Sequence, residues 1–445
     1  MDILNLPHFK ILTHKETEHD FQIELETVAA PDACPHCGCI ANLYRYGRRA
    51  QLIMDLPIHG KRVGLLIHRQ RYQCRDCKQT FFEPLDHTVD EKRSATKRLV
   101  KYIEKQSLER TFVSISEDVG LDEKTIRNIF RDYINYLEQT VCFETPNWLG
   151  IDEIHIIKPR CVLTNIGQRT ILDILPNRNK ETVVKYLHNL PNKGRITYVT
   201  MDMWRPYKDA VKTVLPQAIV IVDKFHVVKM ANQAMETVRK QLRESLSPKE
   251  RRGLMHDRFI LLKRRTELKP NEELILEVWI KNFEQLGTAY HLKESFFKIW
   301  DAKNKEQAMK AYDEWRNQIP PSLEYAFKDI LTAVSNWHEE IFTYFMHPIT
   351  NAYTESLNSL IRVMNRLGRG YSFEALRAKI LFCEGLHKKK RPKYNKHGFM
   401  TESVEKTMPR NAFFDMYVSE SSIQETKNYG VDISTLVDKL EKGEL

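Results

Sequence analysis

A chain of 445 residues has room for two to four domains of roughly 100 to 200 residues and for a sizeable buried core, which excludes small disulfide-stapled scaffolds. Hydrophobic residues at 42% and charged residues at 29%, with no apolar run near the roughly 20 residues of a membrane span, fit a globular protein with no membrane partner. The formal charge of +10 is regional, with 16 basic against 8 acidic residues over 41–110 and 10 against 2 over 361–393, a distribution that suits a polyanion such as nucleic acid. The second segment ends in the run Lys388–Arg391. Met1–Lys15 lacks the basic start and apolar run of a secretory signal, so the expected location is the cytoplasm.

Two C-x-x-C pairs come first, Cys34 with Cys37 and Cys74 with Cys77, separated by 36 residues. Each such turn can bring two thiolates to one Zn²⁺, and two turns close a tetrahedron, the structural rather than catalytic arrangement. Between them Leu52, Met54 and Leu56, then Val63, Leu65 and Ile67, alternate at period two as a strand pair would, which predicts a zinc ribbon. His36 and Cys39 lie close by, but four cysteines leave them no place in the tetrahedron. Cys142, Cys161 and Cys383 show no pairing and are expected to be buried structural thiols.

A basic helix is predicted over Ser94–Leu108 with Leu99, Val100 and Ile103 as its apolar stripe. A short helix, a turn at Gly120 and a helix capped by Asp122 follow, with Ile126, Ile129, Phe130 and Ile134 on the buried face. Lys124, Thr125, Arg127, Asn128 and Arg131 then point outward, where the recognition helix of a helix-turn-helix reaches base edges and phosphates.

Downstream the pattern turns to α/β. Trp148–Ile156 is an apolar strand interrupted by Asp152, and two more strands around Cys161–Asn165 and Thr170–Leu175 precede a helix near Lys180–Leu190. A fourth strand ends at Asp202 and a fifth at Asp223 and His226. Far along, Thr350 is the expected cap of a helix with Tyr353, Leu357, Leu360, Ile361 and Met364 on one side and Asn351, Glu355, Asn358, Arg362 and Arg366 on the other. Two strand-borne aspartates and this glutamate could converge on a pair of Mg²⁺ ions, which take hard oxygen ligands. Spacing alone leaves Glu153, Asp173, Asp223, Glu339 and Glu340 as competitors, and ion pairing or capping as other uses for the three acids.

These motifs together resemble bacterial insertion-sequence transposases of the ISL-three type. The resemblance runs from about Cys34 to Phe382 and includes Gly150-Ile-Asp152-Glu, Met201-Asp-Met-Trp-Arg-Pro-Tyr207, Val222-Asp-Lys-Phe-His226 and Asn351-Ala-Tyr-Thr-Glu355-Ser-Leu-Asn358. It implies an RNase H-like catalytic domain of α/β class with an Asp-Asp-Glu triad at Asp152, Asp202 and Glu355, and a helical insertion over about 236–340. On that basis the expected divisions are a zinc-ribbon DNA-binding domain (1–88), a helix-turn-helix (89–145), a catalytic domain (146–235 and 341–390) and a C-terminal tail (391–445). Ser356 stands where a glycine is expected and Asn165 where relatives tend to carry aspartate. Asp223 and His226 match the Asp-x-x-His element of related transposases, and Asn351, Asn358 and Arg362 are further accessory candidates.

The implied activity is binding of the element's terminal inverted repeats through the zinc ribbon and the helix-turn-helix, then cleavage and strand transfer with two Mg²⁺ or Mn²⁺ ions beside a structural Zn²⁺. Its partners would be double-stranded DNA, as element ends and as target, and a second copy of the chain, because synapsis of two ends needs at least a dimer. A zinc-ribbon regulator with an inactive catalytic domain and a metal-dependent nuclease without strand transfer are the alternatives.

Overall fold

The computed structural model describes residues 5–28 and 30–384, together with Val437 and Glu441. The basic run Lys388–Arg391 and, apart from those two residues, the expected tail lie outside the described residues. The chain forms two units, the first reaching to Phe143 and taking up Met364 to the end of the last described helix, the second spanning Glu144–Val363.

The first unit opens with strands β1 (Phe9–Glu16), β2 (Asp20–Thr27), β3 (Leu43–Ile58), β4 (Lys61–Cys74), β5 (Thr80–Phe82), β6 (Val89–Asp90) and β7 (Ala95–Thr96). The sheet runs β1-β2-β4-β3-β7-β6, with β5 on β4. His59 and Gly60, both at positive φ, make the two-residue turn between β3 and β4, the backbone that a tight hairpin matching strand twist requires. Val63, Leu65 and Ile67 are buried as their alternation predicts. On β3 the phase is the opposite of the expected one: Ile53 and Asp55 face inward, and Leu52 is 51% exposed. Asp55 tolerates burial because Thr96 Oγ1 donates to it at 2.6 Å and Arg98 pairs with it, so a satisfied carboxylate occupies the inner register.

Three helices follow, α1 (Lys97–Glu109), α2 (Phe112–Val119) and α3 (Glu123–Thr140). α1 starts at Lys97 rather than Ser94, because Ser94 is left-handed (φ 49°) and Thr96 is the cap, its hydroxyl accepting from the Leu99 amide at 3.2 Å. Gly120 closes α2 at φ 75°, so the backbone favours glycine where this helix seats on β3; the nearest atom to a Cβ there, Met54 Cε at 2.8 Å, is the end of a flexible side chain that can move aside. Ile126, Ile129, Phe130 and Ile134 are buried, each contributing about 1.5–3 kcal/mol. Cys142, expected inside, is exposed.

The second unit contains β8 (Trp148–Ile156), β9 (Lys158–Asn165), β10 (Thr170–Leu175), α4 (Lys180–Asn189), β11 (Tyr198–Met201), α5 (Arg205–Val214) and β12 (Ile219–Val222). Its sheet order is β10-β9-β8-β11-β12, with β10, β9 and β8 antiparallel in sequence and β8, β11 and β12 parallel. This is the mixed α/β sheet expected of an RNase H-like domain. Helices α6 (Lys224–Ser245), α7 (Pro248–His256), α8 (Arg258–Leu262), α9 (Pro270–Asn282), α10 (Glu284–Ile299), α11 (Lys305–Asn317) and α12 (Glu324–Phe342) come between β12 and α13 (Ala352–Gly368). They enclose their own aromatic core of Tyr290, Phe296, Trp315, Phe327 and Phe342. α14 (Phe373–Glu384) belongs to the first unit, where the buried Lys379 ammonium caps the end of α1 by donating to the Arg110 carbonyl at 2.9 Å. No helix among the described residues is long and apolar enough to cross a membrane.

Candidate metal centres and active site

The hairpin brings the two cysteine pairs together. Cys34 Sγ lies 3.7 Å from Cys77 Sγ, Cys37 Sγ lies 3.7 Å from Cys74 Sγ, and all four sulfurs are within 4.8 Å of one another. A regular tetrahedron with Zn–S near 2.3 Å has S···S edges of about 3.8 Å, so the four thiols fit Zn²⁺. The Cys77 amide leads in bringing the Cys74 thiol down to about 7. Although the Cys39 amide favours the Cys37 thiolate, burial and the neighbouring thiols push Cys37 up to about 12. Four such groups cannot all ionise together without a cation. Cys39 lies outside this set and bonds Asp76, while His36 sets its ring edgewise against Phe81.

On α3, Lys124, Arg127 and Arg131 are exposed, while Thr125 and Asn128 are half-buried. The Asp122 cap accepts from the Thr125 amide at 2.9 Å and from its hydroxyl at 2.7 Å, and Arg127 pairs with Glu123 one turn back. Arg131 approaches Asp132 of the same helix at 3.9 Å, and Lys124 has no ion pair among the described residues.

In the second unit, strand register assembles the acids. Ile151, Met201 and Val222 stand side by side on β8, β11 and β12, so the next residues, Asp152, Asp202 and Asp223, emerge at one level. Asp223 also caps α6, whose first turn presents His226. His226 Nε2 is 3.0 Å from Asp202 Oδ1, and its Nδ1 is 3.6 Å from Asp223 Oδ2 and 3.9 Å from Glu355 Oε1. Candidate ligand atoms fall into two overlapping groups, Asp152, Asp202 and His226, and Asp223, His226 and Glu355. His226 thus sits between the two aspartates and the glutamate of the expected triad. Asp223 is fully buried, so this is no surface ion pair.

α13 meets β8 through a polar clasp. Its cap is Asn351 rather than Thr350: the Asn351 carbonyl accepts from the Glu355 amide at 3.1 Å, and its side-chain amide donates to the Ile151 carbonyl at 3.4 Å. Thr354 donates to Asn351 Oδ1 and stands 2.7 Å from the Thr164 hydroxyl on β9. One turn on, Asn358 Nδ2 donates to Asp152 Oδ2 at 2.9 Å. Asn351 and Asn358 are buried, contrary to their assignment to the outer face, because the first two turns of α13 are enclosed on most sides. Arg362 and Arg366 are exposed as expected. Thr164, Thr354 and the space requirement at Gly150 were not singled out from the sequence, and no spacing pattern marks them.

Of the competing acids, Asp223 joins the cluster and the other four have partners elsewhere. Glu153 pairs with Arg178, Glu339 with Lys305 at 2.7 Å and Glu340 with Lys208 at 2.5 Å, and Asp173 accepts from the Ile174 amide at 2.7 Å.

Electrostatically the cluster holds more acids than positive charge, four carboxyls around one imidazole. Burial, then the Asp202 charge, holds the Asp152 carboxyl well above the usual range, and burial raises Asp202 against the pull of His226. Burial and Asp223 raise Glu355 to about 7. Burial works against the His226 imidazolium, yet Asp223, Asp202 and Asp152 outweigh it and raise it to about 10. Asp202 Oδ1 and Asp223 Oδ2 are buried and, among the described residues, face only the His226 imidazole, while Asn358 Oδ1 is buried with no hydrogen-bond partner. Buried hard oxygens among raised carboxyls are a donor set that fits divalent cations.

Three family profiles match the chain. The profile of a family described as the transposase of ISL3 elements matches residues 149–380. The zinc-finger of transposase IS204/IS1001/IS1096/IS1165 matches 30–77, and the helix-turn-helix domain of transposase family ISL3 matches 83–134. The transposase for insertion sequence element IS1001 of Bordetella parapertussis is 25% identical over 366 residues, covering 78% of this chain and 87% of that protein. The transposase for insertion sequence element IS1557 of Mycobacterium tuberculosis is 24% identical over 278 residues, covering 56% and 62%. With the catalytic-domain profile spanning more than half of its length, the chain belongs to the ISL3 family of transposases.

Proposed function

We propose that the protein binds the terminal inverted repeats of its insertion sequence and cleaves and rejoins DNA at the acid cluster, with Asp152, Asp202 and Glu355 as catalytic acids. The observation that carries this is the register-aligned row of strand-end aspartates, completed by Glu355 around His226, the one basic group that their buried oxygens face among the described residues.

Mg²⁺ or Mn²⁺, as two ions held by these acids, would supply Lewis-acid activation of the attacking oxygen and neutralise charge on the phosphodiester. Asn358 fixes the rotamer of Asp152 by its hydrogen bond. The Asn351, Thr354 and Thr164 clasp sets where α13 presents Glu355. Asp223 orients His226, whose positive charge holds the acids together. Water attacks the phosphodiester first, and the freed 3′-hydroxyl then attacks target DNA, so no protein nucleophile is required. The exposed cations of α3, Lys124, Arg127 and Arg131, with Thr125 and Asn128 between them, would engage the repeat in its major groove. A four-cysteine Zn²⁺ site holds the ribbon that supports them, and joining two ends calls for at least a dimer.

The test is strand transfer. A labelled, pre-cut element end is incubated with supercoiled target and Mg²⁺. Joined product from wild type and none from Glu355→Gln supports the proposal. Cleavage of DNA without any joined product would leave a nuclease instead.

A further inference from the structure

Apart from the zinc ligand Cys74, the outer half of the β3–β4 hairpin is used by neither the zinc site nor the helix-turn-helix. Residues 43–51 and 69–75 contain six arginines and no acidic residue. Arg69 is buried and paired with Glu91, which leaves Arg45, Arg48, Arg49, Arg71 and Arg75. Pairing of Tyr44 with Gln73 and of Arg49 with Arg69 puts Tyr44, Tyr46 and Arg49 on the same side as Arg71, Gln73 and Arg75. Tyr44 and Tyr46 are 42% and 56% exposed, which a merely solvated charged face does not require. Each ring carries a guanidinium: Arg75 Cζ lies 3.2 Å from the Tyr44 centroid and Arg71 Cζ lies 5.7 Å from that of Tyr46. Stacking of this kind pre-orders arginine for phosphate.

The backbone is shaped as well. Register slips between Arg45 and Arg48, Gly47 sits at φ 114°, and the Gln70 side-chain amide donates to the Gly47 carbonyl at 2.7 Å. A bulge locked in this way twists the strand and re-aims its side chains. Over Leu43–Gln51, β4 is the one strand paired to β3 among the described residues, so the basic segment is a sheet edge. A strand ribbon of this width fits a major groove of about 12 Å.

We infer that this edge is a second duplex-DNA contact, with Arg49 and Arg75 on phosphates and Tyr44 and Tyr46 packed against the sugar–phosphate wall. It rests on the proposal that the chain binds DNA, and it adds a surface separate from α3. The occupant is duplex DNA because the patch's cations are all arginines, it carries exposed aromatic rings, and its five arginines other than Arg69 have no ion pair among the described residues.

The experiment is a salt titration of duplex binding by the full chain, using a labelled element end, for wild type, Arg49→Ala/Arg75→Ala, Arg49→Lys/Arg75→Lys and Lys124→Ala/Arg131→Ala. Each lost phosphate contact flattens the slope of log K against log salt by about 0.9, so the arginine-to-alanine pair should flatten it by about 1.8. Between about 50 and 200 mM salt that pair should therefore lose about 12-fold less affinity than wild type. The lysine pair should restore the slope, and bound zinc should be unchanged in every variant. A second readout on the wild type needs no substitution: duplex should protect Arg49 and Arg75 from phenylglyoxal. An unchanged slope with zinc retained, or equal modification with and without duplex, overturns the inference. If the α3 variant alone flattens the slope, this inference fails and DNA binding by α3 stands. If wild type shows no salt-dependent duplex binding, both fail.

Discussion

Gly150→Ala should disable the candidate active site without touching any of its acids. A Cβ at Gly150 would lie 2.3 Å from Thr164 Oγ1, 2.6 Å from Asn351 Oδ1 and 2.8 Å from Thr354 Oγ1. Ordinary carbon–oxygen contact needs roughly 3.4 Å, so the clasp must open by about 1 Å. Asn351 and Thr354 belong to the start of α13, and Glu355 is the next residue, so the displacement passes directly to Glu355 relative to Asp152. An error of about 1 Å in a catalytic constellation costs on the order of 100-fold in rate, and overpacking of this kind costs about 1–3 kcal/mol in stability. The assay is single-turnover cleavage of a labelled element end, alongside duplex binding and a thermal melt. Cleavage should fall on the order of 100-fold while duplex affinity, which the proposal assigns to the first unit, stays at the wild-type value. A variant that cleaves at the wild-type rate with an unshifted melt would refute the reasoning.

Three further outcomes are expected. Cys37→Ser or a strong chelator should strip zinc and open the segment from Cys34 to Cys77 to protease, because structural Zn²⁺ contributes about 10–16 kcal/mol to folding of such modules; full metal retention in the variant would contradict the four-cysteine site. Asn358→Ala removes a hydrogen bond to a carboxylate, about 1.5–3 kcal/mol, so cleavage should drop roughly 10- to 100-fold and need more Mg²⁺; wild-type metal dependence would argue against the positioning role. For pH, Glu355 is raised from 4.5 to about 7 and His226 from 6.5 to about 10, so both bind protons more tightly when folded. Their contribution to stability is complete at low pH and is lost as pH rises through those windows. Metal-free protein should therefore melt lower at pH 8 than at pH 5, and the stabilisation by Mg²⁺ should grow over the same interval. The buried lysines 293 and 379, lowered to about 8, stay protonated over most of that interval and do not reverse the sign. A Mg²⁺ shift that shrinks with rising pH would contradict it.

Features set by local chemistry were readable from the sequence. The C-x-x-C turns, the Asp122 cap, the Gly120 turn and the apolar stripe of α3 each depend on residues within a few positions of one another. Apolar strands ending in acids likewise exposed the row of Asp152, Asp202 and Asp223. What escaped was decided by residues distant in sequence. Asp55 takes the inner register of β3 because Thr96 and Arg98, some forty positions away, satisfy it. The two-sided picture of α13 assumed one wet face, whereas Asn351 and Asn358 spend their polar groups on β8. Glu339 and Glu340 left the competition through Lys305 and Lys208, pairings that no spacing predicts. The arginine–tyrosine edge was hidden in a regional charge count, because which side chains share a face depends on a bulge at Gly47.

The most direct test of the catalytic proposal is cleavage of a labelled duplex spanning the boundary of the gene's insertion sequence, in Mg²⁺, Mn²⁺ or EDTA, by wild type and by Asp202→Asn. The proposal predicts metal-dependent cutting at the boundary by wild type and none by the variant. Tight binding of the end with no cutting in either metal, or equal cutting by the variant, would contradict it.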